Sequence, residues 1–189
     1  MFVIAALALR LAVAHGMAPV FKPTAWPSVF HATMRQNQSN HLSLVDLFYD
    51  WPAGLNLNMI GPISTGGILY DIEWNNHTSF YVDQAERSCK TIIFPVGILP
   101  PTWIEGAEYL GDEVVHGIAS RVFTKAEFIT YYECIDTKLP VRWIFHDSGM
   151  QEDVLTFDVG IKAAPSQYQA PIYCFDGSGI KESMGLSQE

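Results

Sequence analysis

The stretch that most limits the fold of this chain is residues 128–174. It reads FITYYECIDTKLPVRWIFHD, then DVLTFDVGI, then APSQYQAPIYC. Short runs rich in β-branched and aromatic residues, parted by turn-forming residues such as those at 136–140, describe strands and not helices. The last segment is irregular and carries a cysteine. A chain built around this block is a mainly β domain.

The rest agrees. Residues 17–27 hold prolines at 19, 23 and 27 and cannot be regular helix. Strands are expected at 29–34 and 42–50, with a polar turn at 35–41. Trp51-Pro52-Ala53-Gly54 then breaks the chain with turn chemistry. At 55–60 the alternation puts Leu55, Leu57 and Met59 on one face and Asn56 and Asn58 on the other. Residues 68–74 and 78–82 form a hairpin about the Asn75–His77 turn, and 88–94 is a strand bearing Cys89. Residues 95–101 interrupt the sheet, 102–110 read as a helical turn, and 114–123 read as one strand. Roughly nine to eleven short strands with turn signals between them predict an antiparallel sheet, a barrel or a strongly curved half-barrel. One or two short helices or loops would lie over its concave face.

The domain plan is a signal peptide at 1–16, one β domain at 17–175 and a flexible tail at 176–189. The signal rests on the apolar run at 2–14 and the small-x-small sites that follow it. That run is too short to cross a bilayer, and no other stretch is long enough to span one. Apolar residues make up 49% of the chain and charged residues 16%, which excludes a disordered polymer. A net charge of −9, with scattered Lys and Arg, excludes a nucleic-acid footprint. Asn37 and Asn76 head sequons in polar, turn-like stretches and are the candidate glycosylation sites. The three cysteines, Cys89, Cys134 and Cys174, leave one thiol without an intramolecular partner.

The landmarks SCK (88–90), LG (110–111), CIDTKLPV (134–141), FDVGIK (157–162) and PIYC (171–174) resemble, in order and spacing, those of the ependymin-related family. The stretches LFYDWPAG (47–54), YDIEWNN (70–76), TSFY (78–81), GAEYLG (106–111), PVRW (140–143) and QAPIYCF (169–175) resemble a group of small secreted plant and algal proteins often labelled as transferring glycosyl groups. The ependymin resemblance implies a half-open antiparallel barrel like the bacterial lipoprotein carrier LolA, with an apolar cavity. It implies a disulfide between Cys89 and Cys174 and leaves Cys134 free or intermolecular. It also allows calcium.

The chemistry available to such a chain is modest. Asp71 and Glu73 sit two apart on a strand, so both face one way, about 7 Å apart. They are the candidate catalytic pair of a glycosidase, or ligands for calcium; the preferred reading is a solvated or Arg-paired face, with Arg142 as partner. Asp50, with Asn56 and Asn58, is the candidate metal ligand, set against a role capping the turn that follows it. No His pair has ligand spacing and no Ser lies in a nucleophile elbow. Trp51, Trp74, Trp103 and the Tyr131-Tyr132 pair are ring-bearing positions that a cavity or an ordinary core would use. Alternation marks Val141, Trp143 and Phe145, with Leu155, Phe157, Val159 and Ile161, as the inward set, so Trp143, Phe145, Phe157 and Val159 are the expected cavity lining.

Together these features predict a secreted or lumenal, non-enzymatic protein that binds a lipid or other hydrophobic molecule and needs no cofactor. The alternatives are an extracellular interaction or adhesion protein, homodimeric through the open sheet and linked to calcium, and a carbohydrate-active enzyme.

Overall fold

A computed structural model describes residues 21–63, 66–175 and 180–183. The expected signal peptide at 1–16 and most of the 176–189 tail lie outside the described residues. The strands are β1 (Val29–Gln38), β2 (His41–Asp50), β3 (Leu55–Pro62), β4 (Leu69–Trp74), β5 (Thr78–Asp83), β6 (Ser88–Ile93), β7 (Glu108–Val115), β8 (Ile118–Lys125), β9 (Ile129–Cys134), β10 (Pro140–Phe145), β11 (Gln151–Val159) and β12 (Ile180–Ser183), with a four-residue helix α1 (Pro165–Tyr168).

They form one sheet in the order β12-β6-β5-β4-β3-β2-β1-β11-β10-β9-β8-β7. All neighbours are antiparallel except β12, which runs parallel to β6. The sheet does not close: β7 and β12 stand at its ends. This is the open, half-barrel-like antiparallel sheet that the turn spacing predicts. It is two meanders joined at β1–β11, and the connection of residues 94–107 carries the chain from β6 at one side to β7 at the other.

Several elements differ from the sequence reading. The β1–β2 turn is the pair Ser39 and Asn40, both at positive φ, so strand pairing continues through Asn37 and Gln38. Residues 114–123 are not one strand: His116 (φ 50°) and Gly117 (φ 83°) make a two-residue turn between β7 and β8. A turn with left-handed residues at both central positions matches the twist of a hairpin, which is why a short X-Gly suffices. Residues 102–107 make tight turns closed by Trp103 N–Pro100 O, Glu105 N–Thr102 O and Ala107 N–Ile104 O, and β7 starts at once after them. Within the expected flexible tail, 180–183 pair with β6 as β12.

The two faces of the sheet are covered by different segments. On the front face, the one bearing Phe30, Ala32 and Met34, register places Tyr49, Leu47 and Val45 on β2 and Val159, Phe157 and Val154 on β11. Farther along, the row Gln36–Glu152–Trp143–Tyr131–Phe123–Tyr109 crosses six strands. The 94–107 connection lays Ile98, Trp103 and Ile104 onto this face, and the N-terminal lead adds Trp26. Trp26 contacts Phe30, Tyr49, Trp103 and Trp143 at ring separations of 5.2–5.8 Å. Gly97 lets the connection pass the β4–β5 turn, since a Cβ there would meet Asn75 O at 2.8 Å. Tyr49 donates to Leu99 O (2.8 Å), and the buried Glu133 accepts from Thr24 N (2.6 Å), so each covering segment is also tied by a hydrogen bond.

On the back face the apolar residues belong to the β3–β6 half: Leu55, Leu57, Ile72, Phe80 and Val82. They are the alternate partners of polar front residues, as the pattern at 55–60 predicts. The C-terminal segment 163–175 covers them, and the Cys89–Cys174 disulfide (Cα–Cα 5.3 Å) pins it down. Cys134 is free.

Candidate binding groove

The covering of the back face is incomplete. Between the C-terminal segment and strands β4–β6 lies an open groove of about 860 Å³. Its apolar walls are Trp74 and Phe80 from the sheet and Tyr168, Ala170 and Phe175 from the segment. Trp74 and Phe80 point the same way because Glu73 and Ser79, their chain neighbours, point to the front. Trp74 meets Tyr168 edge-on at 5.9 Å and Phe80 meets Phe175 at 5.3 Å. Such pairs contribute about 0.5–1.5 kcal/mol beyond the area they bury. α1 is positioned by Pro165 at its first turn and by Gln167, whose Oε1 accepts from Ala164 N at 2.7 Å. Asn76, Thr78, Thr91 and Gln169 supply polar groups at the rim, and Cys174 places the disulfide in the lining.

Trp143, Phe145 and Phe157 all pack on the front core, but the space before them holds the chain's own Trp26, Ile98, Trp103 and Ile104. Trp143 is 3% exposed and Phe157 stacks on Phe30 at 4.5 Å. Val159, on the same face, is 61% exposed. Leu155 leaves the inward set because a bulge opposite Thr33/Met34 turns it out, and Ile161 lies beyond the strand, exposed. A second bulge, between Pro140 and Arg142, moves Val141 into a separate small cluster with Val115, Val122 and Tyr132. The rings that line this groove are Trp74, Phe80, Tyr168 and Phe175, of which the sequence singles out only Trp74. Phe80 is readable as its partner on the same hairpin face; Tyr168 and Phe175 lie in irregular chain, where no periodicity points to them.

Asp71 and Glu73 share the front face of β4, as their spacing predicts. Arg142 is not their partner, because it lies on the back face with Asp153. Asn58 Nδ2 donates to both carboxyls, to Asp71 Oδ2 at 3.4 Å and Glu73 Oε1 at 3.2 Å. Asp71 is 7% exposed and Glu73 is half-buried. Burial pushes the Asp71 carboxyl well above the usual range, with Glu73 adding to the rise, and burial likewise raises Glu73. Glu152 is also buried and raised by burial; it accepts from Trp143 Nε1 and from Gln36 Nε2.

Asp50 accepts from Ala53 N (3.2 Å), capping the Trp51–Ala53 turn, and pairs with Lys162 Nζ (2.7 Å). No cluster of three or more His, Cys, Asp or Glu suited to a metal occurs among the described residues. Asn76 is exposed in the β4–β5 turn, where its Oδ1 accepts from Thr78 N at 3.1 Å. Asn37, expected in a turn, lies within β1, with its Oδ1 buried and unpaired. Among the described residues no helix is long and apolar enough to cross a membrane.

A family model described as a domain of unknown function, DUF8395, matches residues 25–174. No curated protein matches the chain. Among solved structures, an uncharacterized conserved protein from Thermus thermophilus superposes with a TM-score of 0.56 at 10% identity, over 82% of this chain and 91% of that one. MucB superposes at 0.43 and 15% identity, over 76% of this chain and 57% of that one. A DUF1329 family protein from Desulfovibrio piger superposes at 0.37 and 13% identity, over 77% of this chain and 90% of that one. The Thermus protein is similar in fold.

Proposed function

We propose that this chain, which belongs to the DUF8395 family, is a non-enzymatic binding protein that holds a lipid or other small hydrophobic molecule in the groove between β4–β6 and the C-terminal segment. The observation that carries this reading is the groove itself. Its volume of about 860 Å³ lies in the range of small-molecule sites, roughly 300–1,000 Å³, and its aromatic walls with a few rim polar groups match their usual make-up. The Cys89–Cys174 bond supports a life outside the reducing cytosol, in keeping with the expected signal peptide. Kinship with the ependymin-related family belongs to the same reading; the open sheet and that disulfide support it, and calcium remains part of that kinship alone.

The full chain should bind an environment-sensitive apolar dye such as anilinonaphthalene sulfonate saturably, and a medium-chain fatty acid should displace it. Trp74→Ala should weaken binding at least tenfold, about 1.4 kcal/mol, by removing the ring that forms one wall. Fluorescence titration decides: unsaturable binding, or equal affinity in wild type and Trp74→Ala, would sink the proposal.

One observation favours a second reading, association between copies. Among the described residues the edge strand β7 has one side unpaired, and it exposes Leu110 (54%) and Val114 (74%). A concentration-dependent sedimentation coefficient, abolished by Val114→Lys, is the expected result if copies pair there.

A further inference from the structure

The front-face pair Asp71–Glu73 is not used by the groove, yet it is costly as two bare carboxylates. Cross-strand neighbours are Asn58 and Tyr81 for Asp71, and Asn56 and Ser79 for Glu73. Among the described residues, the groups that act on the two carboxyls are each other, Asn56, Asn58 and Tyr81, and none of these is a cation. Asp71 Oδ1 is wholly buried and has no partner of good hydrogen-bond geometry. An acceptor left without a donor in such a place costs about 1–3 kcal/mol, more when charged.

A proton resolves both faults. We infer that Asp71 and Glu73 form a proton-binding site that holds one proton between them, carried by Asp71 and directed at Glu73. Asp71 is the deeper of the two, while Glu73 keeps the amides of Asn56 and Asn58 as neighbours suited to a carboxylate. With the proton in place the orphaned Oδ1 becomes a donor, the like-charge repulsion disappears, and Asn58 Nδ2 still serves both groups. The remaining titratable and charged groups that face the pair are Tyr81 on β5, Glu152 on β11, whose negative charge and that of Glu73 disfavour each other, and Lys90 on β6, beyond Tyr81 in the same row and engaged in contacts of its own. Tyr49 on β2 faces Asn56 and is committed to Leu99 O. The raised ionisation of Asp71 and Glu73 agrees with the geometry.

The consequence for pH has a definite sign. The folded chain keeps a proton that the unfolded chain releases near the ordinary Asp value of about 3.9. The stabilisation is full below that value and is lost as pH rises toward the folded-state value.

Carboxyl-detected carbon NMR on the full chain tests the site. The Asp71 Cγ signal, assigned by its loss in Asp71→Asn, should remain in the protonated position at pH 6, where an ordinary Asp is ionised. Melting curves give a second readout. Asp71→Asn, whose amide supplies the same donor without titrating, should flatten the fall of Tm between pH 5 and 8 and melt roughly 2–4 °C above wild type at pH 8. Should that variant not fold, Glu73→Gln supplies the assignment through the shift of its neighbour. An Asp71 that titrates near 4 would overturn the inference. So would a calcium or magnesium titration that raises the wild-type Tm but not that of Asp71→Asn, which would make the pair a cation site.

Discussion

The double substitution Cys89→Ser/Cys174→Ser is expected to destabilise the chain by about 4–5 kcal/mol. The bond closes a loop with a sequence separation of 85, and closing a loop of that order in the unfolded chain is worth about that much in the chain-entropy description. The native side adds to it. The C-terminal segment has no strand pairing between 163 and 175, and it is held on the back face by the disulfide and by ring contacts such as Trp74–Tyr168 and Phe80–Phe175. Two such ring pairs contribute about 1–3 kcal/mol together, against about 1–2 kcal/mol of backbone entropy for every residue ordered, so they do not hold the segment alone. Denaturant unfolding of wild type and variant, with and without reductant, checks the figure: reductant should lower the wild-type midpoint to that of the variant and leave the variant's own midpoint unmoved. The apolar dye should lose its site in parallel, since Cys174 lines the groove. A variant with an unchanged midpoint would show that the segment docks without its tether.

The strands legible in the sequence are those whose turns carry a strong chemical signature. The Asn75–His77 turn, the Trp51-Pro52-Ala53-Gly54 break and the 136–140 turn all fall where their residues predict. The β7–β8 hairpin reads as a single strand because His116-Gly117 is short enough to preserve the alternation across it. Face assignments survive only as far as strict period two does. The bulges at Thr33/Met34 and Pro140/Arg142 each reset the parity, and they carry Leu155 and Val141 away from the set with which alternation groups them. What fills the front face is not legible at all. Trp26, Ile98, Trp103 and Ile104 lie in irregular segments, where an apolar residue has no partner spacing to betray its role. The acidic pair is visible from its i, i+2 spacing, but Arg142 as its counter-ion requires one face for residues that lie on two.

The true partner of Arg142 sets the second large effect. Asp153, 2% exposed, receives Arg142 Nε at 2.5 Å and Arg35 Nη2 at 2.5 Å, with Gln151 Nε2 at 3.1 Å. It thereby stitches β1, β10 and β11 at the seam between the two meanders. Asp153→Asn should cost about 3 kcal/mol, the lower end of the range for breaking a buried pair, because Arg35 and to a lesser degree Arg142 still reach water. Chemical denaturation at pH 7 measures this directly. The pH dependence separates loss of charge from loss of packing. Burial alone would raise the pKa of Asp153, but the two guanidiniums outweigh that and hold it at about 2. Between that value and the ordinary 3.9 the folded chain binds fewer protons than the unfolded one, so this contribution is present above about pH 4 and is lost as pH falls through 2. In Asp153→Asn that part of the acid limb should vanish. The sign is opposite to that of the Asp71–Glu73 pair, whose stabilisation declines as pH rises from about 4. One carboxyl at the seam therefore favours ionisation and a pair on β4 favours a proton. The two act on opposite limbs of the pH–stability curve: Asp71→Asn should hold stability toward high pH and Asp153→Asn should not.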